Sequence, residues 1–393
     1  MNYILFDSAV REALLPLTFT RPVADIRIGI LTIREKWERY LRLTTTTLTE
    51  EYLEEKFPML ELEHNVFIDA SFIPTTEFFE KVRNLKENQA ISYNEELIAF
   101  YSSDVQEDLD FDNYELISLE NPIEQIENKW DIFTKNELAI QLDFELLTAD
   151  EISADIPDFV TTVNKENIFV EEGVVWNPCI INASSGPIYI GKNAVVLDGA
   201  LVRGPFALCE NSVLKMGAKI YGPTTIGPNS KIGGEVKNSV VFGNSNKGHE
   251  GYLGNSVIGE WCNFGADTNV SNLKNTYSSV LLWNYETGTY EKTNQQFCGL
   301  IMGDHSKTGI NTMFNTGTVV GVSSNIFGAG FPEKFIPSFS WGASKVMDTF
   351  KIKKAVKVAK KVLELNGQEL SDIDISILNH IYGETSIYIN NEL

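Results

Sequence analysis

Across residues 190–236 an aliphatic side chain returns at every sixth position: Ile190, Val196, Val202, Leu208, Leu214, Ile220, Ile226 and Ile232. Four residues after each stands Ala194, Ala200, Phe206, Ser212, Ala218, Thr224, Ser230 or Val236, mostly small. A period of six fits neither a helix, with its period of 3.6, nor a simple alternating strand. It predicts hexapeptide β-helix repeats, in which each unit makes one short strand and one corner and about three units close a coil. The aliphatic residue points inward and is covered only by the coils above and below, so the array holds together as one stack. The phase breaks over 237–252 and returns at Ile258, Phe264 and Val270. It breaks again over 271–299 and resumes at Met302, Thr308, Phe314, Val320 and Ile326. Both breaks are expected to be excursions from a single prism, where binding loops tend to sit.

Before the repeat the pattern changes. Tyr3, Ile4, Leu5 and Phe6 form an apolar run that leads into a loop, and Val66, Phe67 and Ile68 form a second run closed by Asp69. Residues 75–82 read as a helix with Thr75 as its N-cap. Strand, loop and helix in this order predict an α/β sheet with a site at the strand ends. The threonines at 44–47 followed by 49–56 predict a polar loop feeding a surface helix. Ile156, Pro157 and Asp158 interrupt the pattern, which predicts an α/β domain over 1–155 and the prism over 156–342. Residues 350–363 form a basic amphipathic helix, and 343–393 are expected to cap the last coil.

Composition narrows the function classes. A hydrophobic content of 43% is enough for real cores in a chain of 393 residues. No apolar stretch reaches the ~20 residues a bilayer requires, and residues 1–12 lack a basic segment before a long apolar core. A soluble, cytoplasmic protein is expected. Cys179, Cys209, Cys262 and Cys298 are widely spread without a CxxC pair, which points to buried thiols rather than disulfides or zinc. A formal charge of −22 argues against nucleic-acid or membrane partners. Within 211–249, however, the only acid is Glu235, beside Lys215, Lys219, Lys231, Lys237 and Lys247. A local cationic patch on an acidic chain points to a small anionic ligand.

Glu235-Val236-Lys237, then Asn246-Lys247-Gly248-His249-Glu250-Gly251-Tyr252-Leu253-Gly254, then Asn263-Phe264-Gly265-Ala266 together resemble the acetyltransferase half of the GlmU family of bifunctional sugar-phosphate enzymes. Residues 15–22 and 303–308 resemble the variant GlmU-like sugar nucleotidyltransferases of Bacteroidetes-type bacteria. The resemblance implies an α/β nucleotidyltransferase-like domain followed by a left-handed parallel β-helix and a terminal α-helix. It implies His249 as the general base that deprotonates a sugar amine attacking acetyl-CoA, a task suited to an imidazole. Glu235 would orient that ring, and Asn272 would join the network. Lys219, Lys237, Tyr252 and Asn263 would hold the sugar phosphate and amino sugar, and the backbone at Ala266 would meet the thioester carbonyl. Lys219 stands where the family usually has arginine, so a bidentate fork is lost. His305 and Lys307 are candidates for further coenzyme A contacts. The resemblance also implies a homotrimer with the acyl site between subunits.

The N-terminal match is thinner. The glycine-rich loop that cradles nucleotide phosphates in this class is replaced by residues 5–11, which contain no glycine. By the same resemblance Arg11 and Arg21 would contact nucleotide phosphates, and Asp69 would hold Mg2+ with UTP or dTTP. Trp130 to Phe133 in sequence and Asn136 match a recurrent segment of unassigned role. The leading expectation is acetylation of glucosamine 1-phosphate and nucleotidyl transfer to a sugar 1-phosphate, on the route to a UDP-sugar. The alternatives are nucleotidyl transfer alone, for example to glucose 1-phosphate from dTTP, and a non-catalytic hexapeptide scaffold or regulatory subunit.

Overall fold

The computed structural model describes residues 1–103, 114–342 and 347–390. The N-terminal part is a six-stranded sheet built from β1 (Asn2–Phe6), β2 (Thr46–Leu48), β3 (Asn65–Asp69), β4 (Gln89–Tyr93), β5 (Glu96–Ser102) and β6 (Glu115–Ser118). Their order is β2-β1-β3-β5-β4-β6, with β1 parallel to both β2 and β3. The threonine run is therefore an edge strand rather than a loop. Pairing with β1 uses its backbone groups, and Thr47 is buried behind it. The same part carries helices α1 (Val10–Ala13), α2 (Ile33–Leu41), α3 (Glu51–Glu54), α4 (Thr76–Arg83), α5 (Asp131–Thr134) and α6 (Asn136–Thr148), the last of which lies against the prism. Thr75 caps α4, its hydroxyl accepting from the Phe78 amide at 3.3 Å.

The C-terminal part is a parallel β-helix with three faces. One face carries nine strands, from Ile168–Val170 to Phe335–Ile336. A second carries six, from Thr161–Val163 to Tyr252–Gly254. The third begins with five strands, from Val175–Trp176 to Asn246–Lys247. Ile190, Val196, Leu208, Leu214, Ile226 and Ile232 all lie in one buried core, as the six-residue period requires. The small residues at the corners are buried too, and they bond between coils: Ser212 Oγ donates to the Gly227 carbonyl at 2.8 Å and accepts from the Ser230 amide at 3.1 Å. Asn193, Asn211, Asn229 and Asn244 turn successive corners with positive φ, a conformation asparagine tolerates well.

The two phase breaks differ in kind. At 237–252 the chain never leaves the prism. Leu208 pairs with Ile226, but Ile226 then pairs with Val241, so one coil is shorter than its predecessors and the six-residue count slips. The break at 271–299 is a true excursion, carrying the hairpin Leu281–Asn284 and Thr289–Lys292. Its Trp283 stacks on Phe335 at 4.2 Å, and Tyr285 meets Phe19 of the N-terminal part edge-on at 5.3 Å. It therefore joins the two halves.

The terminal helices α7 (Ile352–Leu365) and α8 (Asp372–Asn390) meet the last coil, where Tyr382 packs edge-on against Phe339 at 5.1 Å and Tyr388 against Phe335 at 5.6 Å. They also reach the N-terminal part. Ala355, Ala359 and Leu363 of α7 join the core shared with the N-terminal part. Lys56 pairs with Asp374 at 2.8 Å, and the Tyr52 and His380 rings stack at 4.0 Å. The apolar stripe of α7 is thus buried in a core that both the last coil and the N-terminal part share.

Candidate functional site

The N-terminal part packs against the nine-strand face through residues 20–31. Gly29 has φ +75°, and a Cβ there would fall 2.7 Å from the Ala139 carbonyl oxygen, so only glycine passes between that helix and the prism. Its amide donates to Asn136 Oδ1 at 2.7 Å, and its carbonyl accepts from Thr225 Oγ1 at 2.9 Å. Asn136 thus acquires a role the sequence did not reveal, bridging the halves. Arg27 Nε donates to the Phe242 carbonyl at 2.9 Å. Arg21 forms a buried ion pair with Asp304 of the prism, with Glu260 at 3.6 Å. Arg11 is also buried, donating to the Thr18 carbonyl at 3.0 Å and the Tyr52 hydroxyl at 2.7 Å.

A cavity of about 1580 Å³ opens at the ends of β1 and β3, lined among others by Ser8, Asp69, Tyr93, Glu96 and Glu127. Parallel pairing sets Phe6 opposite Asp69, which brings both strand ends to the cavity. Asp69 Oδ1 accepts from the Ser71 amide at 2.8 Å and from Ser8 Oγ at 3.3 Å, and burial raises its pKa. Among the described residues that line the cavity none is Lys or Arg, and 104–113 contain neither. The structure brings Asp69 to this cavity but places neither Arg11 nor Arg21 in its lining.

The second candidate site lies on a corner of the prism. His249 and Glu250 sit exposed on the turn that joins Asn246–Lys247 on the third face to Tyr252–Gly254 on the six-strand face. Parallel register stacks Lys219, Glu235 and Tyr252 on successive coils, and beside them Tyr221, Lys237 and Gly254. Residues two apart on a strand share a face, so both columns face outward. Lys219 Nζ approaches Glu250 Oε2 at 3.4 Å. Lys237 Nζ lies 5.7 Å from the Tyr221 ring centroid and 5.8 Å from that of Phe297. Asn272 Nδ2 donates to the Tyr252 hydroxyl at 3.1 Å and to Asn255 Oδ1 at 2.8 Å. Gly254 leaves the room for this, since a Cβ there would come within 2.4 Å of the Tyr252 hydroxyl.

On the other side of the corner, Asn263 Oδ1 accepts from Asn246 Nδ2 at 2.8 Å. The Ala266 carbonyl accepts from the Asn311 amide at 2.9 Å. Glu235 accepts from the Tyr221 hydroxyl at 2.5 Å, a bond that raises the pKa of that phenol. In the single chain this carboxylate is thus turned to Tyr221, and the His249 ring stands in solvent. Tyr221 and Phe297 are the neighbours that sequence reading missed. Tyr221 was findable, being two residues after Lys219 on an outward-facing alternation. Phe297 was not, because the excursion that delivers it follows no repeat. His305 lies elsewhere, near Trp261 with ring centroids 6.4 Å apart, and burial lowers its pKa to about 4.

Comparison with known proteins gives a family match in the N-terminal part. Residues 3–152 match the sugar nucleotidyl transferase family model. Over 87 residues the chain is 40% identical to the "Bifunctional protein GlmU" of Methanocaldococcus jannaschii, covering 22% of this chain and 21% of that protein. Over 100 residues it is 35% identical to a bifunctional sugar-1-phosphate nucleotidylyltransferase/acetyltransferase of Sulfurisphaera tokodaii, covering 25% and 24%. The chain therefore spans about a fifth to a quarter of the length of the curated relatives it matches. Among solved structures, the polysialic-acid-specific acetyltransferase NeuO covers 52% of this chain and 93% of its own at 14% identity, with a TM-score of 0.27. No described helix is long and apolar enough to cross a membrane.

Proposed function

We propose that the chain is a sugar-phosphate transferase that acetylates glucosamine 1-phosphate from acetyl-CoA on the prism and transfers a nucleotidyl group to a sugar 1-phosphate in the N-terminal domain. The carrying observation is the corner itself. An exposed imidazole stands at the join of two faces, and Lys219, Lys237, Tyr252 and Asn272 occupy adjacent rungs beside it. Lys219 and Lys237 supply positive charge for a phosphate, and Tyr252 and Asn272 supply neutral donors and acceptors for a sugar. His249 takes a proton from the amino group as nitrogen attacks the thioester carbonyl. The C–N bond forms, the C–S bond breaks, and the departing thiolate of coenzyme A takes up a proton.

Glu235 and Ala266 enter this reading as the residue that orients the imidazole and the backbone that meets the carbonyl. Since Glu235 is engaged by Tyr221 in the single chain, its turn toward an imidazole fits a site closed by a neighbouring subunit. Exposed Ile180 and Leu201 on the same face suit such a contact. A homotrimer follows from this reading.

In the N-terminal domain the reading rests on the family match and on the cavity at the strand ends. Nucleotide phosphates require neutralisation, and among the described residues no cationic side chain lines that cavity. Mg2+ fits there: it is commonly held by one or two carboxylates together with substrate phosphates, and Asp69 offers the carboxylate. When bound, the ion supplies the positive charge that the described lining residues lack.

Two assays on purified protein test both parts. Thiol release from acetyl-CoA should depend on glucosamine 1-phosphate, and pyrophosphate release from UTP or dTTP should depend on a sugar 1-phosphate and on Mg2+. Asp69→Asn should lower the second by at least about a hundredfold and leave the first within about twofold. Loss of both together would remove the assignment of separate sites.

A further inference from the structure

The third face of the prism carries a charged residue in an inward slot. Val195–Val196, Val213–Leu214, Lys231–Ile232 and Asn246–Lys247 stack in parallel, with Leu214 opposite Val196, Ile232 opposite Leu214, and Lys247 opposite Ile232. Val196, Leu214 and Ile232 point into the prism and are buried. Lys247 inherits their inward slot and is 3% exposed. An ammonium group in such a place is costly unless its donors are used. They are used on one feature. Nζ donates to the Gly233 carbonyl at 3.0 Å and to the His249 carbonyl at 2.9 Å.

Those carbonyls belong to successive corners of the stack, one below the His249 turn and one within it. The turn has reason to need an anchor. Gly248 and Gly251 flank His249 and Glu250, and glycine leaves a backbone with the widest choice of conformations. The corner below it is shortened, with only Gly233, Gly234 and Glu235 between the inward Ile232 and Val236, so the His249 turn overhangs a tighter corner than those before it. Burial lowers the pKa of Lys247 to about 8, in keeping with its enclosure.

We propose that Lys247 is a positioning residue: its ammonium, threaded through the interior of the prism, ties the His249 carbonyl to the corner below and so fixes where the imidazole stands. The role rests on His249 being the base of the acetyl-transfer reading. Lys247 touches no substrate in it.

Lys247→Met tests this, because methionine keeps a long unbranched side chain in an apolar slot and removes both hydrogen bonds. Wild type, Lys247→Met, His249→Ala and the double variant are compared as full-length protein in the thiol-release assay, with thermal melting alongside. Lys247→Met should melt no lower than wild type. Its kcat should fall at least about tenfold with KM for acetyl-CoA within about twofold, and adding it to His249→Ala should cause no further loss. Three results would overturn the proposal: kcat within about twofold of wild type, an equal loss in the His249→Ala background, or failure to fold, since the slot must accept an apolar chain where Leu214 and Ile232 already sit. Full activity of His249→Ala would instead remove the base itself, and the role of Lys247 with it. That outcome is separable from the others because it appears in the single variant.

Discussion

A lysine enclosed among aliphatic side chains gives the protein a pH dependence that surface lysines do not. With Lys247 at about 8 in the folded chain and at its usual 10.5 when unfolded, the unfolded state holds more protons between those values. The contribution of Lys247 to stability therefore rises with pH across that window. The gain approaches about 3 kcal/mol at its upper end, since each pH unit crossed contributes about 1.4 kcal/mol. Urea unfolding at pH 8 and pH 10 should show wild type gaining stability relative to Lys247→Met by about this increment. Parallel curves would contradict it. At this scale the sequence was informative where chemistry is periodic. Leu201 and Lys219 fall into one column because they sit at equivalent points of the repeat, whereas Glu235 and Tyr252 join that column only through the shortened coils, which the period does not predict. It was uninformative where a side chain's partner is remote. Arg21 finds Asp304 from 283 residues away, and no local pattern announces that.

Among the elements, the His249 turn and the excursion hairpin carry the most specific requirements. Gly251 has φ +122°, and a Cβ there would fall 2.2 Å from the Thr268 carbonyl oxygen. Gly251→Ala should strain the turn by about 1–3 kcal/mol and lower acetyl transfer at least about tenfold, with nucleotidyl transfer unchanged. Equal activity in both assays would show that the turn tolerates displacement. Trp283 is buried between Phe335 and Tyr388, and Trp283→Ala should cost about 3–5 kcal/mol, read as a fall in melting temperature. The aliphatic period made the strands legible, but its loss at 237–252 read as an excursion. A coil shortened by a few residues breaks the count without leaving the prism. The amphipathic stripe of α7 predicted a packed helix correctly. It did not tell which surface would cover the stripe, because an apolar face specifies burial and not a partner.

The whole molecule is held as one body by contacts between its halves. Arg21 is at the centre of them, buried beside Asp304 and Glu260. Arg21→Ala strands a buried carboxylate and should cost about 3–5 kcal/mol. Calorimetry should then resolve separate transitions for the two halves, and KM for the nucleotide should stay within about twofold. A selective rise in that KM would return Arg21 to the phosphates, as its resemblance implied. Light scattering at assay concentrations should give three copies of the 44.1 kDa chain. A monomer with full acetyl transfer would contradict a site completed by a neighbour.

The central claim is that an imidazole on the prism corner does the proton transfer of amine acetylation. The direct measurement is thiol release from acetyl-CoA with glucosamine 1-phosphate, wild type against His249→Ala, with pyrophosphate release as the control on the same samples. The account expects the first to fall at least about a hundredfold and the second to stay within about twofold. Thiol release undiminished in His249→Ala would contradict it.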